Sequence, residues 1–562
     1  MLNRESSIPI SPSLINYDTR KDKRRKKIVD KRVFYLAIQA VLNAIIIGFI
    51  ARGLVYLIDL ITNLSFYGKF SFQPASPEGN NLGLFVMIIP IAGSVLVGLM
   101  ARFGSKAIRG HGIPEAMEKI ILDESRIPPA ITFLKPLSAA ISIGTGGPFG
   151  AEGPIIATGG AFGSFTGQLM HISSAERKII LSAGACAGMS AIFGSPLAAV
   201  LLAIELLLFE FSPRSIIPVA LACVTGAAMH LLLFGNKPVF AMPAMPTPSG
   251  TALFTYVVMG AIIGVIASLV SKSVYAVEDL FEKLPVHWMW WPAIGAVAVG
   301  VTGYFAPYTM GVGYENIQHL LSGTLPLSIL LGLCLLKYFS WVISLGSGTS
   351  GGTLAPLFTI GGALGALLGV MVLDYFPSSG INLSTAALIG MAAMFAGSSR
   401  ALLTSIVFAL ETTGNSNGLL PLLGACVTAY GVSFILMKGS IMTEKIHRRG
   451  VKTPDAYSPD ILRNITVQQL MIPATINDHH LPEILSTDDV GVAAELMGRY
   501  EKDALLVVNN DASTKIAGLI TSAAILKYYS KQQQKDVQYN SPRKTKELLV
   551  KGRKMLKMHP EK

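Results

Sequence analysis

One apolar pattern, broken by glycine and proline, occurs twice in register. Gly150-Ala-Glu-Gly-Pro154 leads into Gly159-Gly160-Ala161-Phe162-Gly163, and 202 residues later Gly352-Thr-Leu-Ala-Pro356 leads into Gly361-Gly362-Ala363-Leu364-Gly365. The same offset carries Gly188–Phe193 onto Gly390–Phe395, and after a four-residue slip Ala203-Ile-Glu205 returns as Ala409-Leu-Glu411. A chain that repeats itself in this way folds as two related halves. Interrupted apolar segments in matching places of two halves point to a binding site at the interface between them. The copies differ at one chemically decisive position: Glu152 in the first loop is matched by Leu354 in the second.

Composition places the two halves in a membrane. Hydrophobic residues make up 51% of the chain and charged residues 14%, against about 25% charged in an average soluble domain. The runs Phe34–Ile61, Leu82–Met100, Ile216–Leu233, Leu253–Val270 and Leu419–Met437 each suit a hydrocarbon core that takes about 20 residues. Ile155–Phe165, Leu197–Phe209, Leu354–Leu368 and Leu402–Leu410 are shorter. They are expected as half-helices buried in protein, where loose backbone groups find partners.

Arg20–Lys27 precedes the first span and Lys445–Arg449 follows the last. By the positive-inside rule both termini are expected in the cytoplasm, with an even number of full crossings in a cell inner or plasma membrane. These flanks account for the net charge of +12 without a nucleic-acid partner, since no aromatics interleave with the basic run. The first 30 residues lack a signal-peptide core, so the first span is expected to be retained. Cys186, Cys223, Cys334 and Cys426 sit singly in apolar segments, with no zinc or disulfide spacing. The nine histidines suggest no metal set and no H-E-x-x-H is present, so neither a metal, a cofactor nor a hydrolytic enzyme is expected.

A dehydrated anion in a membrane needs positive potential without a full buried charge to trap it. Helix N-termini supply this through unpaired N–H groups and the helix dipole, each worth about 0.3–2 kcal/mol. Three loops have the chemistry: Gly110-His111-Gly112-Ile113-Pro114, Gly150-Ala151-Glu152-Gly153-Pro154 and Gly352-Thr353-Leu354-Ala355-Pro356. In each, glycine lets backbone approach a ligand and proline suits the first helical turn. A lone carboxylate at membrane depth, Glu152, costs about 2.5–3.5 kcal/mol on insertion scales and marks function.

The order Gly-x-Gly-Ile-Pro, Gly-x-Glu-Gly-Pro, Gly-x-x-x-Pro, with the repeat and the closing Lys438–Ile446 segment, resembles the CLC family of chloride channels and proton-coupled chloride exchangers. The resemblance covers about residues 30–446. It implies an all-α polytopic domain (33–446) of tilted and broken helices, in two inverted-topology halves, about 35–235 and 252–437. It further implies a homodimer in the lipid bilayer with one anion pathway per subunit. Glu152 matches the family's gating glutamate, whose carboxylate occupies the outer anion site and leaves when protonated.

Other matched positions depart from that pattern. His111 stands where a serine contacts the central anion, and Met442 where a tyrosine completes the contact. His111 either donates to the anion or packs and bonds a carbonyl; Met442 cannot donate. Selectivity then rests on backbone N–H groups, including those around Leu354, which matches a phenylalanine. Ala151 replaces a basic residue often found before the gating glutamate. Leu206 falls where exchangers carry an inner proton-relaying glutamate, and Glu205 lies just before it. Glu205 is read either as an inner proton relay or as a structural helix carboxylate, its repeat mate Glu411 lying far from any gating loop. Lys337 and Arg400 are expected to orient or pair rather than to bind the anion. The apolar Leu206 favours passive conduction of chloride and other monovalent anions. The alternative is a secondary-active anion/proton antiporter using Glu152 with Glu205 or water.

After Arg449 the composition turns soluble. Val467–Met471, an amphipathic stretch Val490–Tyr500, a strand Ala504–Val508 and Ile516–Thr521 before a helix are joined by polar links. They read as a small α/β unit over 447–530 that resembles a single CBS motif. An aspartate three residues after the threonine holds ribose where such modules bind nucleotides; here that position is Ala524, and no nucleotide is expected. The flanks 1–32 and 531–562 are basic and polar, and the second is expected to be disordered.

Overall fold

A computed structural model describes residues 31–451, 453, 462, 465–473, 481–509 and 516–539. The chain forms two compact units, Lys27–Asp455 and a second that contains the C-terminal segment from Ala456. The expectations for the basic N-terminal segment up to residue 30, and for 540–562, lie outside the described residues.

The first half of the membrane unit comprises α1 (Lys31–Tyr67), α2 (Ile88–Phe103), α3 (Ile113–Leu122), α4 (Ile131–Gly144), α5 (Glu152–Leu169), α6 (Ser174–Phe193), α7 (Pro196–Leu202) and α8 (Pro213–Leu233). The second comprises α9 (Gly250–Glu282), α10 (Trp291–Phe305), α11 (Tyr314–Ser322), α12 (Leu327–Leu331), α13 (Lys337–Gly346), α14 (Leu354–Tyr375), α15 (Leu383–Ser399), α16 (Leu402–Thr413) and α17 (Leu419–Leu436). A short α18 (Glu444–Arg448) follows. With α12 and α13 counted as one interrupted segment opposite α4, the helices of the two halves correspond in order, so the sequence repeat is a repeat of structure.

Among the described residues seven helical segments are long and apolar enough to cross a membrane. They include all five long runs expected above, and also Leu327–Gly346, which two short helices build through a π-helical turn at Gly332–Leu336. The expectation of a short half-helix at Leu354–Leu368 is corrected. α14 continues to Tyr375, 22 residues in all, because Gly369 and Asp374 interrupt the apolar run without breaking helical geometry. α16 is short as expected, at 12 residues.

The recurring Gly-Gly-Ala-x-Gly lets each re-entering helix lie against its successor. A Cβ on Gly159 of α5 would overlap the Gly184 carbonyl of α6, and one on Gly361 of α14 would overlap the Gly390 carbonyl of α15. With no hydrophobic effect between helices inside lipid, close backbone approach through small residues is the available source of cohesion.

In the second unit α19 (Val467–Leu470) is followed by β1 (Glu483–Leu485), α20 (Val490–Tyr500), β2 (Ala504–Val508), β3 (Ile516–Thr521) and α21 (Ser522–Tyr539). β1 pairs parallel with β2 (Ile484 with Val507), and β2 pairs antiparallel with β3 (Leu506 with Leu519). Val467, Ile484, Val490, Leu505, Val507 and Ile520 fill its core. Two expectations are corrected here. The polar link before α20 contains β1, and the helix after β3 runs through Tyr539 rather than ending near Ser530, since lysine and glutamine are good helix formers.

Candidate functional site

The three glycine loops meet at one point. Gly150 and Gly352, equivalent positions of the two repeats, hydrogen-bond to each other reciprocally, N–H to carbonyl, at 3.4 and 3.1 Å. Such a self-complementary pair is what a local two-fold relation produces. The first loop joins beside them: the Gly110 amide donates to Thr349 at 2.9 Å and its carbonyl accepts from Gly351 at 3.4 Å. Gly153 sits where all three touch, because a Cβ there would strike both the His111 carbonyl and the Cα of Gly352. Gly110 and Gly112 hold φ of 95° and 97°, a region that glycine enters without steric cost.

Glu152 opens α5 and is fully buried. Its carboxylate folds back over Gly150, where any Cβ would collide with it. Oε1 accepts from the Tyr314 hydroxyl at 2.8 Å, and Oε2 has no hydrogen-bond partner. The backbone amides of Glu152 and of Ala355, at the start of α14, lie within its electrostatic reach. The carboxylate thus occupies the positive end of two helices, one from each half.

His111 Nδ1 and Thr353 Oγ1 are buried without partners. Buried polar atoms are nearly always satisfied, so three such atoms on three converging loops mark a candidate ligand site. No carbonyl accepts from His111 Nδ1. Ile113, Pro114, Ala151, Leu354 and Ala355 are buried around the same junction. The backbone amides of two expected contributors are committed elsewhere. The Gly112 amide donates to Glu115 Oε2 at 2.7 Å, and the Met442 amide donates to Ser440 Oγ at 3.2 Å. Glu115 in turn takes Lys445 Nζ at 3.2 Å, which ties α18 to the start of α3.

Lys135 and Lys337, also repeat mates, are buried and point at backbone. Lys135 Nζ donates to the carbonyls of Ile108 (2.8 Å) and Gly110 (2.7 Å), and Lys337 Nζ to that of Thr309 (3.0 Å). Arg400 donates to the Met437 carbonyl at 2.6 Å and lies over the Phe434 ring. These cations donate to backbone carbonyls.

Glu205 and Glu411 exchange caps across the halves. Glu205 accepts from the amides of Leu403 (2.9 Å) and Thr404 (3.0 Å) and from the Thr404 hydroxyl (2.6 Å), all at the start of α16. Glu411 accepts from Leu197 (3.0 Å) and Ala198 (2.8 Å) at the start of α7. A π-helical turn over Ala203–Leu208 carries Glu205 to this position. Both Glu205 oxygens are therefore engaged as acceptors, the arrangement of a cap. Glu205→Gln and Glu411→Gln are each expected to lower stability by about 1–2 kcal/mol, read as an earlier thermal transition in detergent.

Tyr314 is the residue that the sequence reading missed. It opens α11 directly after Gly311-Val-Gly313, which matches Gly110-His-Gly112 at an offset of 201 rather than 202. That second Gly-x-Gly was the available signal.

A family profile described as "Voltage gated chloride channel" matches residues 92–434. The chain is 31% identical over 342 residues to the "H(+)/Cl(-) exchange transporter ClcA" of Yersinia pestis, covering 59% of this chain and 70% of the relative. It is 26% identical to a "Putative chloride channel protein ClcB-like" of Ralstonia nicotianae, covering 66% and 89%. Among solved structures it resembles a slow cyanobacterial Cl−/H+ antiporter (TM-score 0.65, 23% identity, 73% of this chain and 97% of that one). It also resembles a CLC-type fluoride/proton antiporter (TM-score 0.59, 22% identity, covering 74% and 98%). The repeat, the three converging loops and these matches together establish that the chain belongs to the voltage-gated chloride channel, or CLC, family.

Proposed function

We propose that this integral membrane protein is a chloride/proton antiporter whose anion site lies where the three loops meet and whose gate is Glu152. The observation that carries the reading is the Glu152 carboxylate, buried at the N-termini of α5 and α14, where a monovalent anion would sit. An exchangeable proton on that carboxylate links anion entry to proton movement. The expectation of passive conduction rested on the apolar Leu206; relatives whose printed names include exchange transporters and antiporters favour the alternative.

His111, Thr353 and the amides around Leu354 and Ala355 are the proposed anion contacts. Gly110, Gly112, Gly150, Ala151, Gly153, Ile113 and Pro114 shape their backbone, and Met442 closes the site as an apolar wall. Because Glu205 caps α16, the inner leg of the proton route falls to water rather than to this carboxylate, and Glu205→Gln is expected to keep coupling. Both termini in the cytoplasm, a homodimer and a CBS-like role for the α19–α21 unit without nucleotide binding complete the proposal. In that unit Thr521 Oγ1 accepts from the Ala524 amide at 3.2 Å and so caps α21.

Purified protein in liposomes tests the reading. With chloride held higher on one side, protons are expected to move against their own gradient, and to reverse when the chloride gradient is reversed. Chloride flux without uphill proton movement would return the passive account.

A further inference from the structure

We infer that Tyr314 is a positioning residue for the gate: its hydroxyl holds the Glu152 carboxylate in the closed position and sets the proton concentration at which it lets go. The inference rests on the reading of Glu152 as the gate. The hydroxyl donates to Oε1 at 2.8 Å, and the Ala151 amide lies beside the same hydroxyl oxygen. Hydrogen bonds to ionised groups are about twice as strong as neutral ones, so this donor favours the charged, seated carboxylate over the protonated one.

The pair is divided between the halves. The first half carries the carboxylate, where its mate is Leu354; the second carries the hydroxyl, where the equivalent position after Gly-x-Gly is Ile113. Each half lacks what the other supplies, so closure needs the two together. The ring is fixed independently of its hydroxyl, packing edge-on to Phe193 (5.8 Å) and Phe240 (5.9 Å).

A cavity of about 180 Å³ reaches Tyr314 and Ala151 and is lined by Asp59, Glu78 and Glu315. Tyr314 therefore borders that cavity and touches the gate as well. Two other titratable groups lie near the pair. Lys337 of α13, beside Gly313, donates to Thr309, and His111 meets the Glu152 loop through its carbonyl at Gly153. Glu152 is the charged group within electrostatic reach of the hydroxyl among the described residues.

The test is the pH profile of chloride flux in liposomes. Tyr314→Phe keeps the ring contacts and removes the donor. The carboxylate then accepts a proton more readily, so the half-activation pH is expected to rise by about one unit, a tenfold change in proton concentration. Fluorotyrosine at 314 donates more strongly and is expected to move the profile the other way. In a Glu152→Gln background Tyr314→Phe is expected to shift nothing. An unshifted Tyr314→Phe profile, where Glu152→Gln alone flattens it, overturns the positioning role and leaves the gate intact. A shift that persists without the carboxylate overturns it too. A Glu152→Gln protein that keeps its pH dependence overturns the gate reading and this inference with it.

Discussion

Glu152→Gln is expected to remove proton movement while sparing chloride flux. The substitution keeps the shape of the side chain and its place over Gly150 but can neither bind nor release a proton. A positioned proton-transfer group contributes about 10²–10⁴-fold, so proton flux should fall at least about 100-fold. Chloride flux should persist, because the neutral amide no longer competes as an anion for the ends of α5 and α14. The check is paired measurement of chloride and proton flux on one liposome preparation. Equal loss of both would place Glu152 in the scaffold rather than in the gate.

Gly153→Ala is the second change of large expected effect. Its Cβ meets backbone on two sides, the His111 carbonyl and the Cα of Gly352, and neither can rotate away as a side chain can. Overpacking of this kind costs about 1–3 kcal/mol, concentrated where three loops must stay in register. Both fluxes are expected to be lost, with an earlier thermal transition in detergent. Gly53→Ala is the control, since nothing lies within 4 Å of a Cβ there. It should match the unmodified protein or exceed it slightly, alanine being the better helix former.

The scaffold was legible because its requirements are severe. Backbone can approach backbone or an anion only at glycine, and a helix can start after such a loop most easily at proline, so the three loops announced themselves. The carboxylate was legible for the same kind of reason, as a charge with no business at membrane depth unless it works there. What escaped notice depends on pairing across the repeat. Glu205 and Glu411 were visible as recurring acids, yet nothing in either half shows that each caps the other's helix. Tyr314 escaped because Gly311-Val-Gly313 looks like ordinary helix punctuation and its offset is one residue out of step with the other loops. β1 gave no alternation over three residues that begin with Glu483. α14 was read short because glycine and aspartate in its last two turns dilute the apolar run.

Bromide-soaked crystals tests the central claim most directly, because the anomalous signal of bromide locates a halide without reference to function. In the unmodified protein the account predicts bromide at the junction of the three loops, within hydrogen-bonding distance of the amides around Leu354 and Ala355 and of the side chain of His111. In Glu152→Gln it predicts further bromide where the carboxylate stood. Bromide bound elsewhere in the membrane unit, with none at the junction in either protein, would contradict it.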